Sequence, residues 1–158
     1  MALRTDRIHI DSQIDYFMNE TAERGKIAVI STVGSGAAMD QAAQLATCTY
    51  TTASGQMPLG ILMCDVVNND LIRVHENWHK EEVQQGGKVT IWNKCTVVTD
   101  RLYPGITVTA GQQAYLAPSG FITNSKFCTD SSDAEHRIGR WLSTVDEDGY
   151  AKLSVNLP

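Results

Sequence analysis

Between Gly86 and Thr99 apolar and polar positions alternate through Val89, Thr90 and Ile91, and β-branched residues dominate the run. That combination suits a half-buried pleated surface and fits a helix poorly. It predicts a β-hairpin, with a Gly86-Gly87 entry, a reversal at Asn93-Lys94 and a second strand over Thr96, Val97, Val98 and Thr99. The device then repeats downstream. Gly105–Thr109, a turn at Ala110-Gly111, Gln113–Leu116, a turn at Pro118–Gly120 and Phe121–Thr123 extend it into a β-meander. Before it, strands are expected over Lys26–Thr32, Leu45–Tyr50 and Pro58–Val67. After the polar loop Asn124–Glu135, His136–Ser143 and Tyr150–Leu157 read as a closing hairpin, turned at Asp146-Glu147-Asp148-Gly149, where the glycine tolerates positive φ.

Residues 1–25 follow a different period. Arg4, Asp6, Arg7, His9 and Asp11 interleave with Ile8 and Ile10 in an extended arm. Ser12 is then placed to cap a helix, with Asp15 three residues on as its acidic partner. Ile14, Phe17, Met18 and Ala22 fall at helical spacing, and Gly25 stands where a helix stops. The expectation is an arm and short amphipathic helix over 1–25, and a β domain over 26–158. That helix packs either on its own domain or on a neighbouring protein. The fold class expected is mainly β, a small antiparallel barrel or sandwich of short strands.

A chain of 158 residues is expected to be one domain able to bury about 70% of its unfolded surface, without help from disulfide or metal. Lys+Arg number 13 against 18 Asp+Glu, for a formal net charge of −5. The broad basic footprint of a phosphate-backbone binder is missing, so nucleic acid is not an expected partner. Cys48, Cys64, Cys95 and Cys128 form no Cys-x-x-Cys pair, and Met1–Asp6 carries charge where a signal peptide needs an apolar run. Reduced thiols in a soluble compartment are therefore expected. No stretch approaches the eighteen or so apolar residues of a membrane span.

One motif spells chemistry. His75-Glu76-Asn77-Trp78-His79 matches His-Glu-x-x-His, in which two imidazoles one helical turn apart hold zinc and the glutamate activates water. Its flanks, Leu71–Val74 and the charged Lys80, Glu81 and Glu82, do not make the long buried helix that this site needs. The reading preferred is a partly exposed connection in which Trp78 is an anchor and the two histidines are surface or interface residues. Gly34-Ser35-Gly36 lacks the continuation of a phosphate loop, Asp146–Gly149 lacks the distal glutamate of a calcium loop, and no Gly-x-Ser-x-Gly elbow is present. No enzyme activity and no cofactor are expected. Arg137 and Arg140, with Trp141, suit an interface better than a reaction.

Gly25–Val29, Met57–Leu62, Gly86–Thr90, Thr109–Leu116, Ile138–Leu142 and Asp148–Leu153, in that order, resemble the capsid decoration or cement proteins of tailed bacteriophages, most of all those of phages that infect cyanobacteria. The resemblance covers most of residues 25–158 and rests on turn and strand residues. It implies a small β-barrel, made in the host cytoplasm, that sits on the outside of an icosahedral shell, often as a trimer, and ties major capsid protein subunits together. Candidate capsid contacts are Ile8, Ile10, Ile14, Phe17, Met18 and Trp78. Candidate oligomer contacts are His79, Arg137, Arg140 and Trp141.

Burying each apolar side chain of the arm gains about 1.5 to 3 kcal/mol, while ordering some twenty residues costs about 1 to 2 kcal/mol apiece. A single arm is marginal, so several arms acting together in a homo-oligomer are expected. The alternative is a β domain that binds carbohydrate or a host surface through Trp78, Trp92, Trp141 and Tyr103. A zinc hydrolase built on His75, Glu76 and His79 comes third.

Overall fold

The computed structural model describes residues 9–30, 45–47, 57–65, 82–85, 88–126 and 136–157. They form β1 (His9–Met18), β2 (Ala22–Glu23), β3 (Ile27–Ile30), β4 (Leu45–Thr47), β5 (Pro58–Asp65), β6 (Glu82–Val83), β7 (Lys88–Thr99), β8 (Gln113–Leu116), β9 (Ile122–Thr123), β10 (Arg137–Trp141) and β11 (Ala151–Asn156). The chain is mainly β, as expected. Among the described residues no helix is long and apolar enough to cross a membrane.

Strand β7 organises the molecule. Nine strands share one sheet in the order β1-β4-β3-β5-β7-β11-β10-β8-β9, and β1 also pairs directly with β7. Strands β7, β1, β4, β3 and β5 thereby nearly close into a barrel, while β11, β10, β8 and β9 carry the sheet onward. Among the described strand pairs β1–β4 is parallel and the others are antiparallel.

No reversal occurs at Asn93-Lys94. Strand β5 takes the ladder as far as Trp92, β11 takes it from Lys94, and β1 spans both halves, so the chain runs straight on. Asn93 lies instead in a β-bulge, between the pairs Ser12↔Lys94 and Gln13↔Trp92. The extra residue changes which face the side chains take. Val89 and Ile91 enter one core, with Met18, Ala28, Leu59, Leu62 and Val83. Trp92, Cys95 and Val97 enter the other, with residues such as Leu116, Ile138, Trp141 and Leu153. Strand β3 is likewise buried on both faces, Ala28 in the first core and Ile27 and Val29 in the second.

The expected N-terminal helix is a strand. Ser12, Ile14, Tyr16 and Met18 are half-buried or buried, and Asp11, Gln13, Asp15 and Phe17 between them are exposed. That is the two-residue period of a pleated strand. The spacing of Ile14, Phe17 and Met18 also satisfies a helix; the edge of β7 decides between the two. A helix would leave that edge unpaired, whereas β1 pairs with it from His9↔Thr96 to Phe17↔Lys88. Ile14 lies opposite Ile91, and Asp15 takes a hydrogen bond from Thr90 Oγ1 at 3.2 Å and an ion pair from Lys88 Nζ at 3.4 Å. Residues His9–Met18 consequently belong to the nine-stranded sheet, and β2 pairs with β6 in a separate two-stranded one. Gly25, at φ 84°, turns the chain from β2 into β3, and its N–H donates to the Leu62 carbonyl at 2.9 Å.

Of the meander, β8 and β9 form, but Gly105–Thr109 joins no ladder. The closing hairpin is present, with Gly139↔Val155, Arg140↔Ser154 and Trp141↔Leu153 in register. Its turn is tied by Asp146, whose Oδ1 accepts from the backbone N–H groups of Asp148 at 3.1 Å and Tyr150 at 2.7 Å.

Candidate functional site

Two surfaces present side chains that could meet a partner. The first is the outward row of β1. Ile10 is 41% and Phe17 38% exposed, with Gln13 and the Asp15–Lys88 pair between them. At about 3.3 Å per residue the two apolar side chains stand roughly 20 Å apart. Their neighbours Ile14 and Met18 do not join them. Met18 is 1% exposed and Ile14 packs against the same inner cluster, because alternation turns both toward β5 and β7. Those two candidate contacts therefore belong to the protein's own core. Ile8 and Trp78 lie outside the described residues.

The second surface is a polar cleft on the outer face of β8, β10 and β11. On a regular strand Arg137 and Arg140, three apart, would point to opposite faces. A bulge brings them to one side: Arg137 pairs with Tyr115 but Gly139 with Ala114, so Ile138 is the extra residue and turns into the core. Both arginines are exposed. Gly139 forms the floor, and it is glycine because a Cβ there would run into the Ser154 carbonyl oxygen of β11. Gln113, Ser154 and Asn156 complete the lining of an open concavity of about 310 Å³, with the half-exposed Leu142 at its rim. Trp141 is not part of it. It is fully buried opposite Leu153 in the second core, so it offers no oligomer contact. His79 lies outside the described residues. The bulge escaped sequence reasoning; its one visible trace is the glycine between two arginines of a short strand.

Trp92 and Trp141 are both core residues and form no exposed aromatic platform. Tyr103 is half-buried, edge-on to Phe121 at 6.5 Å between ring centroids, with Lys26 Nζ 5.1 Å from the centroid of the Phe121 ring. The His75–His79 motif lies outside the described residues, and among those described no group of three or more His, Cys, Asp or Glu could hold a metal ion. Cys95 is a buried free thiol. Burial, and after it the Asp11 carboxylate, push its pKa from 9.0 up to about 12. At neutral pH it is a protonated, small core residue and no nucleophile.

Fold and surfaces together define a mainly β protein with a nearly closed, barrel-like antiparallel sheet, an outward row on β1 that exposes Ile10 and Phe17, and a polar cleft on β8, β10 and β11. No protein-family model matches the chain, and no curated protein matches it in sequence.

Proposed function

We propose that this protein is a structural component of a virion that binds the exterior of an icosahedral capsid and stabilises contacts between major capsid protein subunits, acting as a homo-oligomer, with a trimer favoured. The observation that carries this reading is the outward row of β1. Exposed Ile10 and Phe17 are held on a strand paired along β7, so docking them requires little new order. Most of the entropy that a loose arm would lose on binding is lost when the sheet forms.

The gain is modest all the same. Each side chain is already more than half covered, so burying the remainder is worth roughly 1 kcal/mol apiece. Micromolar affinity needs about 8 kcal/mol. Attachment therefore draws on further surface and on several copies engaged together, which favours an oligomer.

The test is co-sedimentation with empty expanded shells assembled from the cognate major capsid protein. The full chain is expected to pellet with the shells. Ile10→Lys/Phe17→Lys, with a circular dichroism spectrum like that of the wild type, is expected to stay in the supernatant. A wild-type chain that ignores shells, or a double variant that binds them unchanged, overturns the reading.

A further inference from the structure

None of the described residues fills the Arg137–Arg140 cleft. Among the described residues no carboxylate pairs with either guanidinium; the ion pairs described join Lys88 to Asp15 and Arg101 to Glu23 and Asp100. Two arginines on one side of a strand, above a glycine floor and flanked by the side chains of Gln113, Ser154 and Asn156, offer planar forks that match carboxylates. At about 310 Å³ the cleft is at the small end of the range for ligand pockets, suited to a few side chains and not to a whole strand.

The same chain carries the complementary charge. Asp146, Glu147 and Asp148 are exposed at the tip of the β10–β11 hairpin, within a protein of formal net charge −5. The tip is rigid: Asp146 N–H donates to the Tyr150 carbonyl at 2.8 Å and Gly149 N–H to the Asp146 carbonyl at 3.1 Å, in addition to the two bonds that Asp146 Oδ1 accepts. It cannot serve its own cleft. Leu142 N–H is bonded to the Lys152 carbonyl at 2.8 Å, which holds the hairpin closed between Arg140 and the tip, so the acidic turn is carried away from the arginines of the same molecule.

We propose that the Arg137–Arg140 cleft receives the Asp146–Asp148 hairpin tip of a second copy of this chain. The contact is head-to-tail: each copy offers one cleft and one tip. Such contacts close into a ring if the rotation between copies permits, and otherwise run on as an open chain. This interface specifies the oligomer part of the function proposed above, and it stands or falls independently of capsid attachment.

Sedimentation velocity of the full chain, without capsids, tests it. At low salt the wild type is expected to associate, and half-molar salt to weaken the association as it screens the exposed charges. Arg137→Ala/Arg140→Ala, which removes the receptor, and Glu147→Lys/Asp148→Lys, which reverses the tip, are each expected to be folded monomers. Mixed one to one, the two variants are expected to form a heterodimer and nothing larger, since the mixture holds only one competent pairing: the tip of the first and the cleft of the second. A wild type that is monomeric at low salt overturns the proposal. So does either variant that associates like the wild type, or a mixture that fails to pair. If the variants lose self-association but still pellet with shells, the interface is upheld while capsid attachment is shown not to need it.

Discussion

Adjacent residues Phe17 and Met18 provide the sharpest test of β1, because a helix places them on one buried face and a strand places them on opposite faces. The perturbation is a matched pair, Phe17→Thr and Met18→Thr, in which the introduced residue is itself favourable in a strand. Met18 is 1% exposed and packs with Leu62, Val83, Val89 and Ile91. Truncating a buried methionine costs about 2 to 5 kcal/mol, and burying the new hydroxyl without a partner adds about 1 to 3 kcal/mol. The lower end of that sum, about 3 kcal/mol, lowers the melting temperature of a domain this size by roughly 6 to 12 °C. Phe17 is 38% exposed and lies outside both core clusters, so its replacement costs about 1 kcal/mol, or roughly 2 to 4 °C. Thermal unfolding followed by circular dichroism reads both values under one buffer condition. Equal losses in the two variants, or a larger loss at Phe17, refute the strand and the sheet closure that depends on it.

Two further expectations concern the rest of the sheet. Gly139→Ala drives a methyl group into the Ser154 carbonyl and forces β10 from β11 beside the buried Trp141; a loss of about 3 kcal/mol or more in urea unfolding is expected. Gly105→Ala meets open space and carries only the strain of its φ of 83°, so it should cost no more than about 1 to 2 kcal/mol. Cys95 carries a pH signature: its folded pKa of about 12 lies above the ordinary 9.0, so above pH 9 the unfolded chain releases a proton that the folded chain keeps. Its contribution is fully present below pH 9 and is lost as the pH rises toward 12. Cys95→Ala should show a smaller drop in urea midpoint between pH 8.5 and 10.5 than the wild type, and an equal drop counts against burial of this thiol.

The local periods of the chain are enough to specify much of this architecture. Gln113–Leu116 alternates and is bounded by turn residues, and it is β8 to the residue. Asp146–Gly149 has the composition of a tight turn, and Asp146 ties that turn through its own side chain. In these segments the neighbours in sequence are also the neighbours that matter in space, so the pattern and the fold agree. Mainly β character and a closing hairpin could both be read in this way.

Tertiary structure decided the rest, and did so where a segment's partner is distant in sequence. Ile14, Phe17 and Met18 satisfy two periods at once, and only the open edge of β7, some eighty residues away, selects the strand. Asn93-Lys94 has the composition of a reversal, yet three separate strands hold it straight and reduce it to a bulge. The second bulge, at Ile138, sets Arg137 and Arg140 side by side and sends Trp141 inward. Composition marks those three residues as suited to an interface, but it carries no record of which way a pleat turns after one residue too many, and that turn separates a cleft from a core.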